Sequence, residues 1–167
     1  MLFMSEGVQL ETEFLNQVKS HQNIIHKICF IYSRNRSDKE DLYQEIVLQL
    51  WKSYPSFGKR SAFSTWMYRV ALNTAISTTK RFWFTADTEL PELAFEAESQ
   101  MDLSEDIRIL YRAISKLAKI EKAIILLWLE NRSYDEIAET TGISVKNVSV
   151  KLVRIKARLS EIIRKMQ

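Results

Sequence analysis

The chain is short of the residues that make tight turns, bridges and metal sites. Its 167 residues include 3 Gly and 2 Pro, too few for a fold rich in tight turns, and the fold class this implies is all-α. A single cysteine, Cys29, excludes an internal disulfide and fits a reducing cytosol. It lies in the apolar run Ile28-Cys29-Phe30-Ile31 and reads as a small buried hydrophobe rather than a nucleophile. The two histidines, His21 and His26, diverge by about 140° on a helix and do not simply share a metal ion. No glycine-rich phosphate loop, H-E-x-x-H or nucleophile elbow occurs. No catalytic residue, metal or cofactor is therefore expected. The longest uncharged apolar run, Ala123 to Leu129, is about a third of the ~20 residues that span a bilayer, so no membrane insertion is expected. With no cationic stretch followed by an apolar core at the N-terminus, a cytoplasmic protein is expected.

Charge, by contrast, is abundant and sorted. Residues 1–84 carry 11 Lys/Arg and 7 Asp/Glu, residues 85–106 carry 8 acids and no base, and residues 107–167 carry 13 bases and 6 acids. Two basic blocks thus flank an acidic one. The middle block contains Pro91 and no sustained periodicity, and it reads as an extended linker between two small helical domains. It is either a plain tether or an acidic strand suited to a cationic channel.

The C-terminal block, 107–167, contains a helix-turn-helix pattern in SYDEIAETTGISVKNVSVKLVRIKAR, residues 133–158. Ser133 and Glu136 have capping-box spacing. Gly142 stands where a tight turn needs positive φ, and Ser144 caps the next helix. There Val148, Leu152, Ile155 and Leu159 form one apolar stripe. Lys146, Asn147, Ser149, Lys151, Arg154 and Arg158 fall outside it, a mix of amide, hydroxyl and cation that suits a DNA major groove.

The N-terminal block, 1–84, reads as three helices: Glu11 to Tyr32, a second opened by a capping box at Ser37–Glu40 and running to about Lys52, and a third over Ala62 to Arg81 with Ser61 as its cap. Along the third, Phe63, Trp66, Tyr68, Arg69, Asn73, Lys80 and Arg81 interleave rings with cations, the mix that binds single-stranded nucleic acid. Trp66 and Val70 read as core. Tyr68, Asn73, Ser77 and Lys80 read as contacts for a strand. The cluster Phe82-Trp83-Phe84 is either a docking patch or a domain edge.

In order and spacing, DKEDLYQEIVLQLW, FGKRSAFSTWMYRVALNTA and KLAKIEKAIILLWLENRSYDEIAETTGISVKNVSVKLVRIKARL resemble the extracytoplasmic-function (ECF) group of bacterial sigma factors, over nearly the whole chain. The resemblance implies that residues 1–84 bind the polymerase clamp and melt the −10 element, and that residues 107–167 read the −35 element. It implies core RNA polymerase and promoter DNA as partners, with an anti-sigma protein as a further one. For polymerase binding it points to Asp41, Leu42, Gln44, Glu45, Leu48 and Trp51, with core packing an open alternative for Trp51. For the −10 strand it points to Lys59, Arg60, Ser61 and Asn73, beside Phe63, Tyr68, Arg69, Ser77 and Lys80. For the −35 duplex it points to Lys146, Asn147, Ser149, Lys151 and Arg154, with Ser144 at the head of the helix. Val145, Lys146 and Val150 depart from the acidic or small residues usual in the family. The rival expectation is a conventional helix-turn-helix regulator with an N-terminal sensing or dimerisation domain, which needs no melting segment.

Overall fold

The computed structural model describes residues 2–82 and 104–167, with side chains described for 5–78 and 104–167. Among them every regular element is helical. The first four helices are α1 (Leu2–Ser20), α2 (Gln22–Tyr32), α3 (Arg36–Ser53) and α4 (Phe63–Phe82), with one 3₁₀ turn at Tyr54–Ser56. The remaining four are α5 (Glu105–Ser115), α6 (Lys119–Leu129), α7 (Tyr134–Thr141) and α8 (Val145–Met166). Most of the linker, residues 85–103, and the aromatics Trp83 and Phe84 lie outside the described residues. Glu105 and Asp106, at the end of the acidic block, form the first turn of α5 with Ser104 as its cap. Carboxylates there complement the positive end of the helix dipole.

Four starts differ from their expected places, the first being that of α1, which begins at Leu2 rather than at Glu11. The helix predicted from Glu11 to Tyr32 breaks at His21, whose N–H bonds both Gln17 O and Val18 O at 3.2 Å while its Nδ1 lies 2.9 Å from Gln17 O. The helix predicted from Ser37, α3, starts at Arg36 instead. Asn35 is its cap and accepts from the Asp38 N–H at 2.8 Å, leaving Ser37 inside the first turn. Ser61 does not cap α4: the Ala62 carbonyl accepts from the N–H groups of Thr65 and Trp66, and the Ser61 hydroxyl lies against that same carbonyl.

In the N-terminal half α2, α3 and α4 pack around Ile25, Ile28, Cys29, Leu42, Ile46, Leu50, Met67 and Leu72, and Phe14 and Val18 of α1 are buried as well, Phe14 against Trp51 of α3 and Tyr54. In the C-terminal half α5, α7 and α8 surround α6, and the predicted stripe of Val148, Leu152, Ile155 and Leu159 is buried. Helix α6 is buried at six consecutive residues, Lys122 to Leu127. A helix apolar all round has to be covered all round, and the cover on its far side comes from the N-terminal half. There α4 meets α6 and α2 meets α5. Tyr32 donates its hydroxyl to the Lys119 carbonyl at 2.8 Å, Lys27 pairs with Glu130, and the Lys122 ammonium sits 5.1 Å from the Tyr32 ring centroid. Burial, then the charges of Arg34 and Lys119, pull the Lys122 pKa down from 10.5 to about 8.

Candidate nucleic-acid interface

Local chemistry fixes the helix-turn-helix. The Ser133 hydroxyl accepts from the Glu136 N–H at 3.1 Å while the Glu136 carboxylate accepts from the Ser133 N–H at 3.0 Å. This reciprocal pair satisfies two amides that the start of α7 leaves without helical partners. Gly142 ends α7 at φ 77°, in the left-handed region, which glycine reaches without a Cβ clash. Ser144 then caps α8 through the Asn147 N–H at 3.2 Å. With its stripe buried, α8 exposes Ser144, Lys146, Asn147, Ser149 and Arg154, and Lys151 is half-buried at the edge of that face. All six side chains expected on the duplex side therefore lie on one helix and its cap.

The N-terminal half is built around rings. Tyr54 lies within 6.3 Å, centroid to centroid, of Phe14, Phe57, Phe63 and Trp66. Phe57 in turn packs on Phe63 at 5.7 Å and on Trp66 at 4.9 Å. This cluster pins the loop before α4, where Gly58 and Lys59 both take positive φ, 61° and 54°. A lysine held there is strained, and such strain concentrates at binding sites. The loop closes one side of a groove of about 610 Å³ lined by Tyr54, Phe57, Lys59, Ser61 and Phe63, with Glu13, Asn16, Gln17 and Ser20 of α1 also on its wall, so that one carboxylate stands beside the amides. Rings for base faces, amides for base edges and a cation for phosphate suit an unstacked nucleotide. Asn16, Gln17, Tyr54 and Phe57 were missed as site residues. Asn16 and Gln17 meet the loop only through tertiary packing and no spacing marks them, whereas Tyr54 and Phe57 stand just before Gly58 in the chain, and two rings beside that loop were the signal to be read.

The strand-facing expectations divide. Lys59, Arg60, Ser61, Arg69, Asn73 and Ser77 are exposed. Phe63 is buried within the ring cluster. Tyr68, expected to face a strand, is 2% exposed and directs its hydroxyl to Glu130 at 3.5 Å across the junction of the halves. Burial and the Glu130 charge push its pKa well above the ordinary tyrosine value. Arg69 is paired across the same junction with Glu139 at 3.5 Å. The Lys80 side chain lies outside the described residues.

On α3, Asp41, Gln44 and Leu48 are exposed and Glu45 is half-buried, accepting from Gln49 at 2.9 Å. Leu42 is a correction: it is buried in the core and offers nothing to a partner. Trp51 is 39% exposed, its ring 4.9 Å from that of Phe14. With Phe14, Leu15, Val47 and Leu48 it lines an apolar groove of about 400 Å³ between α1 and α3. A second groove, about 820 Å³, has Asp41, Gln44 and Glu45 of α3 on one wall and Asn73 and Ser77 of α4 on the other. The candidate polymerase contacts and the candidate strand contacts therefore adjoin.

Two stretches of the chain match known families. Residues 17–83 match the family model for sigma-70 region 2, and residues 107–159 that for sigma-70 region 4. The chain is 32% identical to the ECF RNA polymerase sigma-E factor of Haemophilus influenzae, over 82% of this chain and 80% of that one. It is 31% identical to the factor of the same name from Escherichia coli, over 77% of this chain and 76% of that one. Its fold is similar to that of the sigma factor RpoE of Bartonella quintana, solved in complex with the anti-sigma factor NepR, with a TM-score of 0.65 at 18% identity, covering 93% of this chain and 97% of that one. The chain belongs to the ECF sigma factors of bacterial RNA polymerase.

Proposed function

We propose that the N-terminal half captures the −10 strand and the C-terminal half reads the −35 duplex, each acting once core RNA polymerase carries both. The observation behind this division is the contrast of the two surfaces: an aromatic and amide groove beside a strained cationic loop on one half, and a polar, basic helix face on the other. On α3 the Asp41 and Glu45 carboxylates repel phosphate, so a protein partner takes that wall and the apolar groove beside Trp51, while the strand follows Asn73 and Ser77 on α4. The chain's role is recognition without a reaction of its own, in the cytoplasm. An anti-sigma protein is a further partner, in keeping with the fold it shares with a sigma factor solved in such a complex.

Energetics dictate the need for polymerase. Flipping a base costs a few kcal/mol, and stacking it on a ring returns roughly 1–3 kcal/mol. One captured base barely balances, and several base pairs must open. Tethering two weak modules to one enzyme raises their joint affinity through effective concentration. The test is run-off transcription with core polymerase on a genomic fragment library, with permanganate footprinting of thymines. Initiation and thymine reactivity are expected only when polymerase is present. Strand opening by the chain alone, or tight promoter binding that polymerase does not improve, would overturn the reading.

A further inference from the structure

The centre of the free face of α8 is apolar. At 100° per residue, the direction opposite the buried stripe of Val148, Leu152, Ile155 and Leu159 passes within about 20° of Val150. Val150 is 44% exposed, and Val153 beside it 70%. Lys146 and Arg154 stand one turn before and one turn after Val150, both exposed, and Asn147 and Ser149 flank it. Scattered exposed apolar residues are ordinary. Here position carries the meaning: Val150 sits in the early turns of the second helix of a helix-turn-helix, the part that meets base edges. Helix propensity does not ask for a valine there, since β-branching slightly disfavours the helix, and Val150 stands outside the buried core. A valine has no hydrogen bond to offer. The one apolar feature that a base pair presents in the major groove is the thymine 5-methyl group.

We propose that Val150 reads a thymine methyl in the upstream promoter element, and so favours a T·A pair at that one position. The cations Lys146 and Arg154 hold the helix on the phosphates to either side, and seven Lys/Arg against one Glu along α8 supply the complementary charge. Asn147 and Ser149 read neighbouring edges. This rests on the assignment of α8 to duplex reading.

The test uses the chain with core polymerase on a promoter selected from a random library. Each upstream thymine is replaced in turn by uracil, which removes only the methyl group. At one thymine the replacement is expected to lower initiation about fourfold, the worth of one buried methyl-sized group. In Val150→Ala that penalty disappears and every other position keeps its own. Val150 is exposed and outside the core, so the variant folds. Lys146→Ala and Arg154→Ala are run beside it and are expected to lower initiation on all templates alike. If they do so while Val150→Ala leaves the uracil pattern unchanged, methyl reading is wrong and the docking of α8 stands. If they too change nothing, the assignment of α8 to the duplex falls, and this inference with it.

Discussion

The two halves of the chain are packed from different materials. Every buried hydrophobic residue of the C-terminal half is aliphatic, from Ala113 and Ile114 to Leu159. The buried set of the N-terminal half includes Phe14, Tyr32, Phe63 and Tyr68, and its half-buried shell adds Tyr54, Phe57 and Trp66, where the shell of the C-terminal half holds Tyr111 and Trp128. Aliphatic side chains only fill space, so in the C-terminal half the core lies inside and the proposed reading face is a separate, outer face of α8. Rings fill space and also offer faces to bases. In the N-terminal half the core and the proposed site therefore share one aromatic cluster, which borders the groove beside Lys59.

The largest effect that tests this contrast is on stability. Ile155 is buried between α8 and its neighbours, and Ile155→Ala is expected to cost about 2–5 kcal/mol, measured by thermal or denaturant unfolding. Lys146→Ala on the outer face of the same helix is expected to change stability by less than about 0.5 kcal/mol. Comparable costs at the two positions would deny the separation of core from reading face.

Where the halves meet, Lys122 gives a pH signature. It is 4% exposed, and Tyr32, Arg34 and Lys119 are the groups around it. Below pH 8 the ammonium is protonated in both folded and unfolded chains, and the full penalty of burying it is felt. Between about 8 and 10.5 the unfolded chain still holds a proton that the folded chain has released, so the penalty fades and stability rises with pH. Cys29, pushed up to about 12 by burial, and the raised tyrosines Tyr32 and Tyr68 act oppositely at higher pH. Comparison with Lys122→Met isolates the lysine. The stability of the native chain relative to this variant is expected to improve by about 2 kcal/mol from pH 7.5 to 9.5. A pH-independent difference would show that the ammonium is hydrated and that the halves do not close over it.

Phe57→Leu separates the two duties of a ring. A leucine keeps most of the apolar volume, so stability is expected to fall by less than about 1.5 kcal/mol. Loss of the ring face is expected to reduce promoter opening about tenfold, with binding of core polymerase unchanged. Equal losses of opening and polymerase binding would mean that the ring is merely structural.

These contrasts also explain how much could be read from residues alone. Capping is local chemistry, and the pair Ser133–Glu136, the turn at Gly142 and the cap at Ser144 stand in the structure as their spacing predicts. The stripe from Val148 to Leu159 is equally local, because periodicity records which side of a helix is covered. The break at His21 leaves no such record. No glycine or proline marks it, and the backbone shifts through a shared N–H and an imidazole contact to Gln17. Tyr68 misleads because a ring with a hydroxyl suits either a strand or a buried polar contact. Its acceptor, Glu130, lies 62 residues away. Leu42 and Leu48 share a helix but lie about 120° apart around it: Leu42 falls on the buried line of Ile46 and Leu50, a spacing of four that the residues themselves carry, while Leu48 lies off that line and is exposed.

The smallest effects concern the caps, and there the two halves should differ in a way that sequence pattern alone misjudges. Ser133 and Ser37 each precede a glutamate by three residues. Only Ser133 carries the reciprocal hydrogen bonds, while α3 takes its cap from Asn35, whose side chain also reaches Asp38 Oδ2 at 3.2 Å. Ser133→Ala and Asn35→Ala are each expected to cost about 1 kcal/mol, and Ser37→Ala less than about 0.5 kcal/mol. Unfolding of the three variants under one set of conditions ranks them. A cost at Ser37 equal to that at Asn35 would mean that α3 starts two residues later, which would make Arg36 and Ser37 part of the loop that joins it to α2.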